Sequence, residues 1–423
     1  MRVTLDYGTT GLTVDLPDDC LVVRAQESSP VADPAGALVA ALRQPVEGVP
    51  LAQLARPGQK VVIAVPDGTR PHPHRAVLEA LLAELATAGA NSDVTILIAG
   101  GTHAADPPEV IEAMLGPEVP RRCKVVIHDC RDTADLVPLG PAGPPASDVP
   151  VALDRRWMEA DLRISSGLVE PHLFAGFSGG PKLVAIGTAG LETVMALHNG
   201  RRVGEPKATW GIVEGNPVHD AIRAVAALAP PHFSLELVLD SEKRVTHAFA
   251  GPTRSAHKAA AAVARQTPMP RVDRRYPLVI TSSGGAPLDQ NFYQAIKGVA
   301  AAADIVADGG TIILAAECAQ GLPNHRMYTE VLRPGEDIRA ANARILQSEK
   351  VVPDQWQLQV QARIQARARV LVKSAGLSAA DVATARLKAI EDIAAFVAAA
   401  RDKDPGLPIA VLPHGPYCVP FLA

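Results

Sequence analysis

Aromatic residues are scarce in this 423-residue chain, at 4%. Proteins that grip single-stranded nucleic acid stack bases on aromatic rings set among cations. So few rings and a formal net charge of -4 argue against that class, and against a polybasic attraction to anionic membranes. Cysteine is thin too. Cys20, Cys123, Cys130, Cys318 and Cys418 are scattered, odd in number and never spaced as CxxC. That excludes a disulfide framework and a thiolate zinc site, and makes a reducing cytoplasm the expected compartment. No apolar run is long enough to span a bilayer. The opening MRVTLDYGTTGLTVDLP alternates like a strand and carries acids, unlike a signal peptide. Neither a Walker A loop, nor the Gly-x-Gly-x-x-Gly dinucleotide fingerprint, nor a zincin HExxH motif is present.

What is abundant is apolar sequence, at 48%, broken into short runs. KVVIAVPD (Lys60–Asp67) reads as a buried strand, followed by Val77, Leu78, Leu81, Leu82 and Leu85 at helical spacing. DVTILIAGGTH (Asp93–His103), KVVIHD (Lys124–Asp129) and LRISSG (Leu162–Gly167) repeat the pattern. Strands alternating with helices predict an α/β protein with mostly parallel sheets. A break near residue 270 follows the helical run SAHKAAAAVARQ, where TPMPRVDRRYP concentrates prolines and charges. PLVITSSGG, GGTIILAAEC and ARVLVKSAG then supply a second set of strands. The expected division is an N-terminal α/β domain over 1–268, completed by 400–423, and a C-terminal α/β domain over 273–395. The active site is expected in the crevice between them.

Ligands of such sheets bind beyond the carboxyl ends of the strands. Three constellations fall at predicted strand ends, and a fourth lies in the second domain. Asp67-Gly68-Thr69-Arg70-Pro71 is either a capped turn or, through the Arg fork, a carboxylate or phosphate site. Gly100-Gly101-Thr102-His103 places a histidine after two glycines. EPHLFAGFSGGPK (Glu170–Lys182), with His198 beyond it, combines two histidines, a glycine turn and a lysine. Acid/base chemistry, anion binding, a nucleophilic amine and a metal ligand are all available there. In NFYQAIKG (Asn291–Gly298), Tyr293 and Lys297 lie one helical turn apart, which also suits an ordinary helix surface. The other histidines, including His72, His74, His128, His219, His232, His247, His257, His325 and His414, form no coherent cluster in the sequence.

Those motifs, together with ALHN (Ala196–Asn199) and DQWQ (Asp354–Gln357), occur in an order and at separations that resemble the lactate racemase family, the nickel-pincer-nucleotide-dependent 2-hydroxyacid racemases and epimerases. The resemblance runs over nearly the whole chain. It implies a pyridinium-3,5-bisthiocarboxylic acid mononucleotide nickel cofactor, covalently attached at Lys182, with His198 as the protein's nickel ligand. His103 and His172 are then the acid/base pair, one per face of the substrate carbon. Asp67, Thr69, Ser178, Gly179, Gly180, Tyr293 and Trp356 are implied to surround the cofactor. Arg70, Gln294 and Lys297 are implied to hold the substrate.

In the implied chemistry a histidine takes the hydroxyl proton while hydride leaves the α-carbon for the cofactor, and the planar 2-ketoacid can be reduced on either face. This route avoids a carbanion at a very weak carbon acid. The expected partners are a small 2-hydroxyacid, with lactate the default, and cofactor-biosynthesis enzymes; neither nucleic acid nor membrane is expected. Two other classes stay open on the residues alone: an NAD-dependent 2-hydroxyacid dehydrogenase, which lacks its fingerprint here, and a non-catalytic binder of small carboxylates.

Overall fold

The structure, a computed structural model, describes residues 1–26, 28–322, 331–333 and 335–422; His325 lies outside the described residues. The chain divides into two compact units. One comprises Glu27–His198 and Pro206–Arg265; the other comprises Met1–Gln26, Asn199–Glu205 and Gln266–Ala423.

The first unit is built on a six-stranded sheet. Its spatial order is Val245–Gly251, Phe233–Leu239, Leu162–Leu168, Val61–Val65, Val94–Ile98, Lys124–Ile127. Neighbours are parallel except for the antiparallel pair of Phe233–Leu239 with Val245–Gly251 at one edge. Val61–Val65 is buried at all five positions, which is why its sequence is continuously apolar and does not alternate. Its Ile63 and Val65 share a core with Ile96, Ile98, Ile164 and Leu235, and with Leu78, Leu81 and Leu85 of the helix His74–Thr87. The helical stripe read from the sequence is thus the buried face of that helix. Truncating a residue such as Leu81 to Ala would cost roughly 2–5 kcal/mol.

The topology explains where a site can form. From Val61–Val65 the chain steps to Val94–Ile98 on one side, then to Lys124–Ile127, and returns with Leu162–Leu168 on the other side. Loops leaving Val61–Val65 and Leu162–Leu168 therefore diverge in opposite directions and open a crevice at their carboxyl ends.

The second unit carries another six-stranded sheet, all parallel, in the order Lys388–Ala389, Arg369–Lys373, Val306–Ala315, Tyr276–Ser282, Ile409–Leu412, Leu21–Val22. This corrects the expected division. Residues 400–423 do not complete the N-terminal domain; Ile409–Leu412 pairs with Tyr276–Ser282 in the C-terminal sheet, with Leu278 opposite Ile409. The strand is buried at all four positions and needs a neighbour on each edge, and Leu21–Val22 supplies the second one. The chain's first residues are drawn in as well. The hairpin of Arg2–Leu5 and Leu12–Asp15 packs Val3, Leu5 and Val14 against Leu278, Ile280, Leu371 and Val411. Among the described residues, no helix is long and apolar enough to cross a membrane.

Candidate active site

Three of the constellations follow strands that are neighbours in the first sheet. Asp67-Thr69-Arg70 follows Val61–Val65, His103 follows Val94–Ile98, and Glu170–Lys182 follows Leu162–Leu168. Asp67 does not cap the next helix. That helix starts after Pro73 without a side-chain cap. The Asp67 carboxylate instead accepts from Nδ1 of His103 at 2.6 Å through Oδ2, and from the Thr69 hydroxyl at 2.6 Å through Oδ1. Burial alone would push this carboxyl up, but the bond and charge of His103, the Thr69 hydroxyl and the Arg70 charge outweigh it and hold Asp67 below the ordinary carboxylate range. Asp67 is nearly buried, whereas His103 keeps 38% of its side chain exposed, so the pair is anchored at one end and open at the other. Arg70 is half-buried and lines an open cavity of about 680 Å³ with His72, His74 and Glu109.

The loop that carries His103 is pressed against the segment following Lys182. Gly101 has φ +59, and a Cβ there would lie 2.9 Å from the Ile186 carbonyl oxygen. Its N–H donates to the Gly187 carbonyl at 3.1 Å. Glycine is required there by conformation and by contact alike.

Glu170–Lys182 forms a small hairpin and then a turn. Pro171–His172 pairs with Gly176–Phe177, and Gly179 and Gly180 turn the chain at φ +71 and +53 into the helix Pro181–Ala185. Lys182 leaves from the first turn of that helix and is half-buried. The polar groups of the turn face inward. The Ser178 hydroxyl donates to the Leu168 carbonyl at 2.7 Å and accepts from the Glu170 N–H at 3.0 Å. The Gly180 N–H donates to Glu236 Oε2 at 3.0 Å. Ser178 and Gly180 therefore build the loop with the very groups that an anion would have used.

His172 and His198 are brought together by one ring. Phe174 meets His172 edge-to-face at 4.6 Å between centroids and His198 edge-to-face at 5.4 Å. Nδ1 of His172 accepts the Ala175 N–H at 3.2 Å, so the neutral ring carries its proton on Nε2. His198 is the C-cap of Leu191–Leu197, and its Nδ1 sits 2.8 Å from the Val194 carbonyl. A carbonyl only accepts, so Nδ1 is the protonated nitrogen and the lone pair is on Nε2, the arrangement in which a histidine binds a metal. Among the described residues, no three His, Cys, Asp or Glu side chains converge as a metal site. A metal at His198 would have to bring its other ligands with it.

The remaining expected residues lie in the second unit. Asn291 caps the helix Phe292–Ala302 by accepting from the Gln294 N–H, which fixes Gln294 and Lys297 one turn apart on it. Gln294 Oε1 is buried and has no hydrogen-bond partner among the described residues. Trp356 Nε1 donates to the Tyr293 hydroxyl at 3.1 Å, and Gln357 Nε2 to the Tyr293 carbonyl at 2.7 Å. Tyr293 and Trp356 thus form one hydrogen-bonded pair.

Three further groups were not singled out from the sequence. Glu236, His219 and His257 lie beneath the glycine turn. His257 Nε2 is 2.9 Å from the Ser178 carbonyl, His219 Nδ1 is 3.2 Å from the Ala175 carbonyl, and the two rings stack at 5.4 Å. Burial lowers both, His219 to about 3 and His257 to about 4, so they are neutral donors to the loop's backbone. His219 and His257, two of the histidines that looked unrelated along the chain, thus pair in space as supports of this loop. An apolar strand carrying one acid, FSLELVL, was the available signal for Glu236.

Comparisons with known proteins agree over the length of the chain. Residues 7–211 match the model of the lactate racemase N-terminal domain, and residues 273–419 that of the lactate racemase C-terminal domain. The lactate racemase of Thermoanaerobacterium thermosaccharolyticum is 32% identical over 377 residues, covering 88% of this chain and 87% of the relative. That of Lactiplantibacillus plantarum is 35% identical over 328 residues, covering 76% of each. The structure of the lactate racemase apoprotein from T. thermosaccharolyticum superposes with a TM-score of 0.91 at 31% identity, over 99% of this chain and 100% of that one. A Thermotoga maritima structural-genomics protein shares the fold alone, with a TM-score of 0.67 at 19% identity, over 94% of this chain and 100% of that one.

Proposed function

Because the chain belongs to the lactate racemase family, and is an isomerase, we propose that it interconverts the enantiomers of lactate or a closely similar 2-hydroxyacid by removing and returning the hydroxyl proton with His103 and His172. The observation that carries this reading is the hydrogen bond from His103 to the buried Asp67 at a sheet switch point. With Nδ1–H given to Asp67, His103 presents the lone pair of Nε2, so it is set as the base. Asp67 stays ionised and stabilises the imidazolium formed when the hydroxyl proton arrives. His172 is set the other way. Its Nδ1 accepts from the Ala175 N–H, so its neutral ring carries the hydrogen on Nε2, where it can hydrogen-bond the substrate oxygen. Two histidines, each taking and returning the hydroxyl proton of one enantiomer, are what inverting a hydroxylated carbon through a planar ketoacid requires.

The resident cofactor is read as the nickel-pincer nucleotide, and the residues present fit it. His198 has its lone pair on Nε2, and Lys182 leaves a rigid turn. When bound, such a group would supply a hydride acceptor. Lys182 would hold it covalently and His198 would ligate its metal. Arg70, Gln294 and Lys297 are proposed to orient the substrate, with the cations pairing its carboxylate. The compartment is read as cytoplasmic, in keeping with five unpaired, buried cysteines.

The test is a chiral assay of cofactor-loaded enzyme across 2-hydroxyacids. Equal amounts of the two enantiomers should appear from either pure one, without added NAD. Conversion of a single enantiomer to ketoacid with reduction of NAD would instead mark a dehydrogenase. Binding without turnover would mark a carboxylate-binding protein.

A further inference from the structure

We propose that Glu236 is a positioning residue for Lys182, its carboxyl fixing from below the glycine turn out of which the lysine side chain departs. The strand Phe233–Leu239 places Glu236 directly beside Gly167 of Leu162–Leu168. Gly167 has no side chain, so the glutamate can fold across it and reach the turn. A Cβ on Gly167 would lie 2.7 Å from Glu236 Oε2, and a Cβ on Gly179 would lie 2.7 Å from the same atom. Two glycines, one in the strand and one in the turn, thus make the slot in which the carboxyl sits. From that slot Oε2 accepts the Gly180 N–H at 3.0 Å, two residues before Lys182. His257 secures the other end of the turn through the Ser178 carbonyl. The two contacts oppose each other along the backbone: one holds an N–H, the other a C=O. Together they fix the torsions of Ser178–Gly180, where two glycines would otherwise leave the chain free.

A buried carboxyl without a cation is an expensive support unless it stays neutral. Burial pushes Glu236 up to about 8, with the Gly180 N–H opposing the shift, so the group is protonated at neutral pH. It is then a neutral hydrogen-bonding side chain whose Oε2 serves the turn, while Oε1 has no partner among the described residues. Glutamine should therefore replace it well, alanine should not, and aspartate should fall short by one methylene.

The proposal rests on Lys182 being the reactive lysine of the preceding section, but it can be tested without the cofactor. Apo protein is treated with a limiting acylating reagent, N-hydroxysuccinimidyl acetate. Labelling of Lys182 is read by peptide mass spectrometry against Lys207 and Lys258 of the same molecule. Glu236→Gln should keep the Lys182 ratio within about twofold of wild type. Glu236→Ala and Glu236→Asp should shift it by on the order of tenfold, since a released turn changes the burial of the lysine and with it its accessibility and basicity. Melting of each variant is followed in parallel, and Glu236→Asp, the milder change, decides the matter if Glu236→Ala does not fold. A folded Ala or Asp variant with the wild-type ratio overturns the proposal, as does a Gln variant no better than Ala. Protein made with the cofactor pathway separates the two readings. If labelling responds to Glu236 but wild type carries no adduct at Lys182, the cofactor assignment fails and the positioning role stands. If wild type carries the adduct, and adduct yield and labelling ignore Glu236→Ala, the positioning role fails and the cofactor assignment stands.

Discussion

Asp67 and His103 are 36 residues apart in sequence and 2.6 Å apart in space, carboxylate oxygen to Nδ1. The parallel pairing of Val61–Val65 with Val94–Ile98 brings the two strand ends together and so creates the contact. It fixes the tautomer of the histidine and gives its protonated form a counter-charge. Asp67→Asn keeps the shape but removes that charge and can reverse the tautomer. Racemisation should fall by roughly 10²–10⁴-fold, as it should in His103→Ala, while the melting temperature stays near that of wild type. Initial rates in both directions check this; a near-normal rate in Asp67→Asn would remove Asp67 from the mechanism.

His172 differs from His103 in its partner, a backbone N–H in place of a carboxylate. His172→Ala should lose racemisation by a similar factor, roughly 10²–10⁴-fold. The half-reactions should separate the two residues. In single turnovers with loaded enzyme, His103→Ala should spare ketoacid formation from one enantiomer and His172→Ala from the other. Chiral chromatography of quenched samples reads this directly, and loss of the same enantiomer in both variants would contradict a two-sided arrangement.

The strands were legible because parallel strands buried on both faces must be continuous apolar runs, and VVIAV and VTILI are. Strand ends were legible because each run stops at glycine or a polar tip. The exchange of chain ends was not. Leu21–Val22 is two residues long and shows no period, and nothing in IAVL says which sheet will take it. In the site, His103, His172, Lys182 and His198 stood out by residue type and neighbours. Their supports did not, because Glu236 is 56 residues from Gly180 and His257 is 79 from Ser178. Such contacts depend on sheet order, and a single sequence does not display sheet order.

His198 is held by the Val194 carbonyl one turn back in its own helix, and is only 8% exposed. His198→Ala should leave the fold intact but lower nickel retained after loading and desalting, measured by elemental analysis per chain. Loss of a ligand's orienting partner alone commonly costs about 10–100-fold in metal affinity, so loss of the ligand should cost at least that. Unchanged nickel content would make His198 a core histidine only.

A structural network beside the lysine segment has its own pH signature. His128 Nδ1 meets Asp154 Oδ2 at 2.9 Å and its Nε2 lies 3.0 Å from the Ala189 carbonyl, while Arg156 pairs with the same carboxylate at 2.7 Å. Burial would raise Asp154, but the hydrogen bonds from His128 and Arg156 and their charges lower it to about 2. A depressed carboxyl stabilises the fold at pH above its unfolded value near 4, and the gain is lost as pH falls through about 2. The gain is roughly 2 kcal/mol. Asp154→Asn should be destabilised by roughly 3–5 kcal/mol at neutral pH, with the gap to wild type narrowing as pH drops from about 4 to about 2. Urea midpoints across that range test it, and a gap independent of pH would contradict the shift.

Lys182 offers the most direct check of the functional reading. It follows Gly179, Gly180 and Pro181, a turn set by two positive φ angles and a proline at the start of the helix, so its departure point is fixed before any ligand arrives. That pre-organisation is what a covalent anchor needs, because a mobile lysine would spend binding energy on being ordered. Protein made with the cofactor-biosynthesis enzymes should show an added mass corresponding to a sulfur-bearing nucleotide, localised to the peptide containing Lys182. Lys182→Ala should lack both the mass and the racemase activity while melting like wild type. Lys182→Arg keeps a charge but offers no amine for a thioamide, and should behave like the alanine variant. Full activity in either variant, with the adduct absent, would leave His103 and His172 in place but rule out the covalent link.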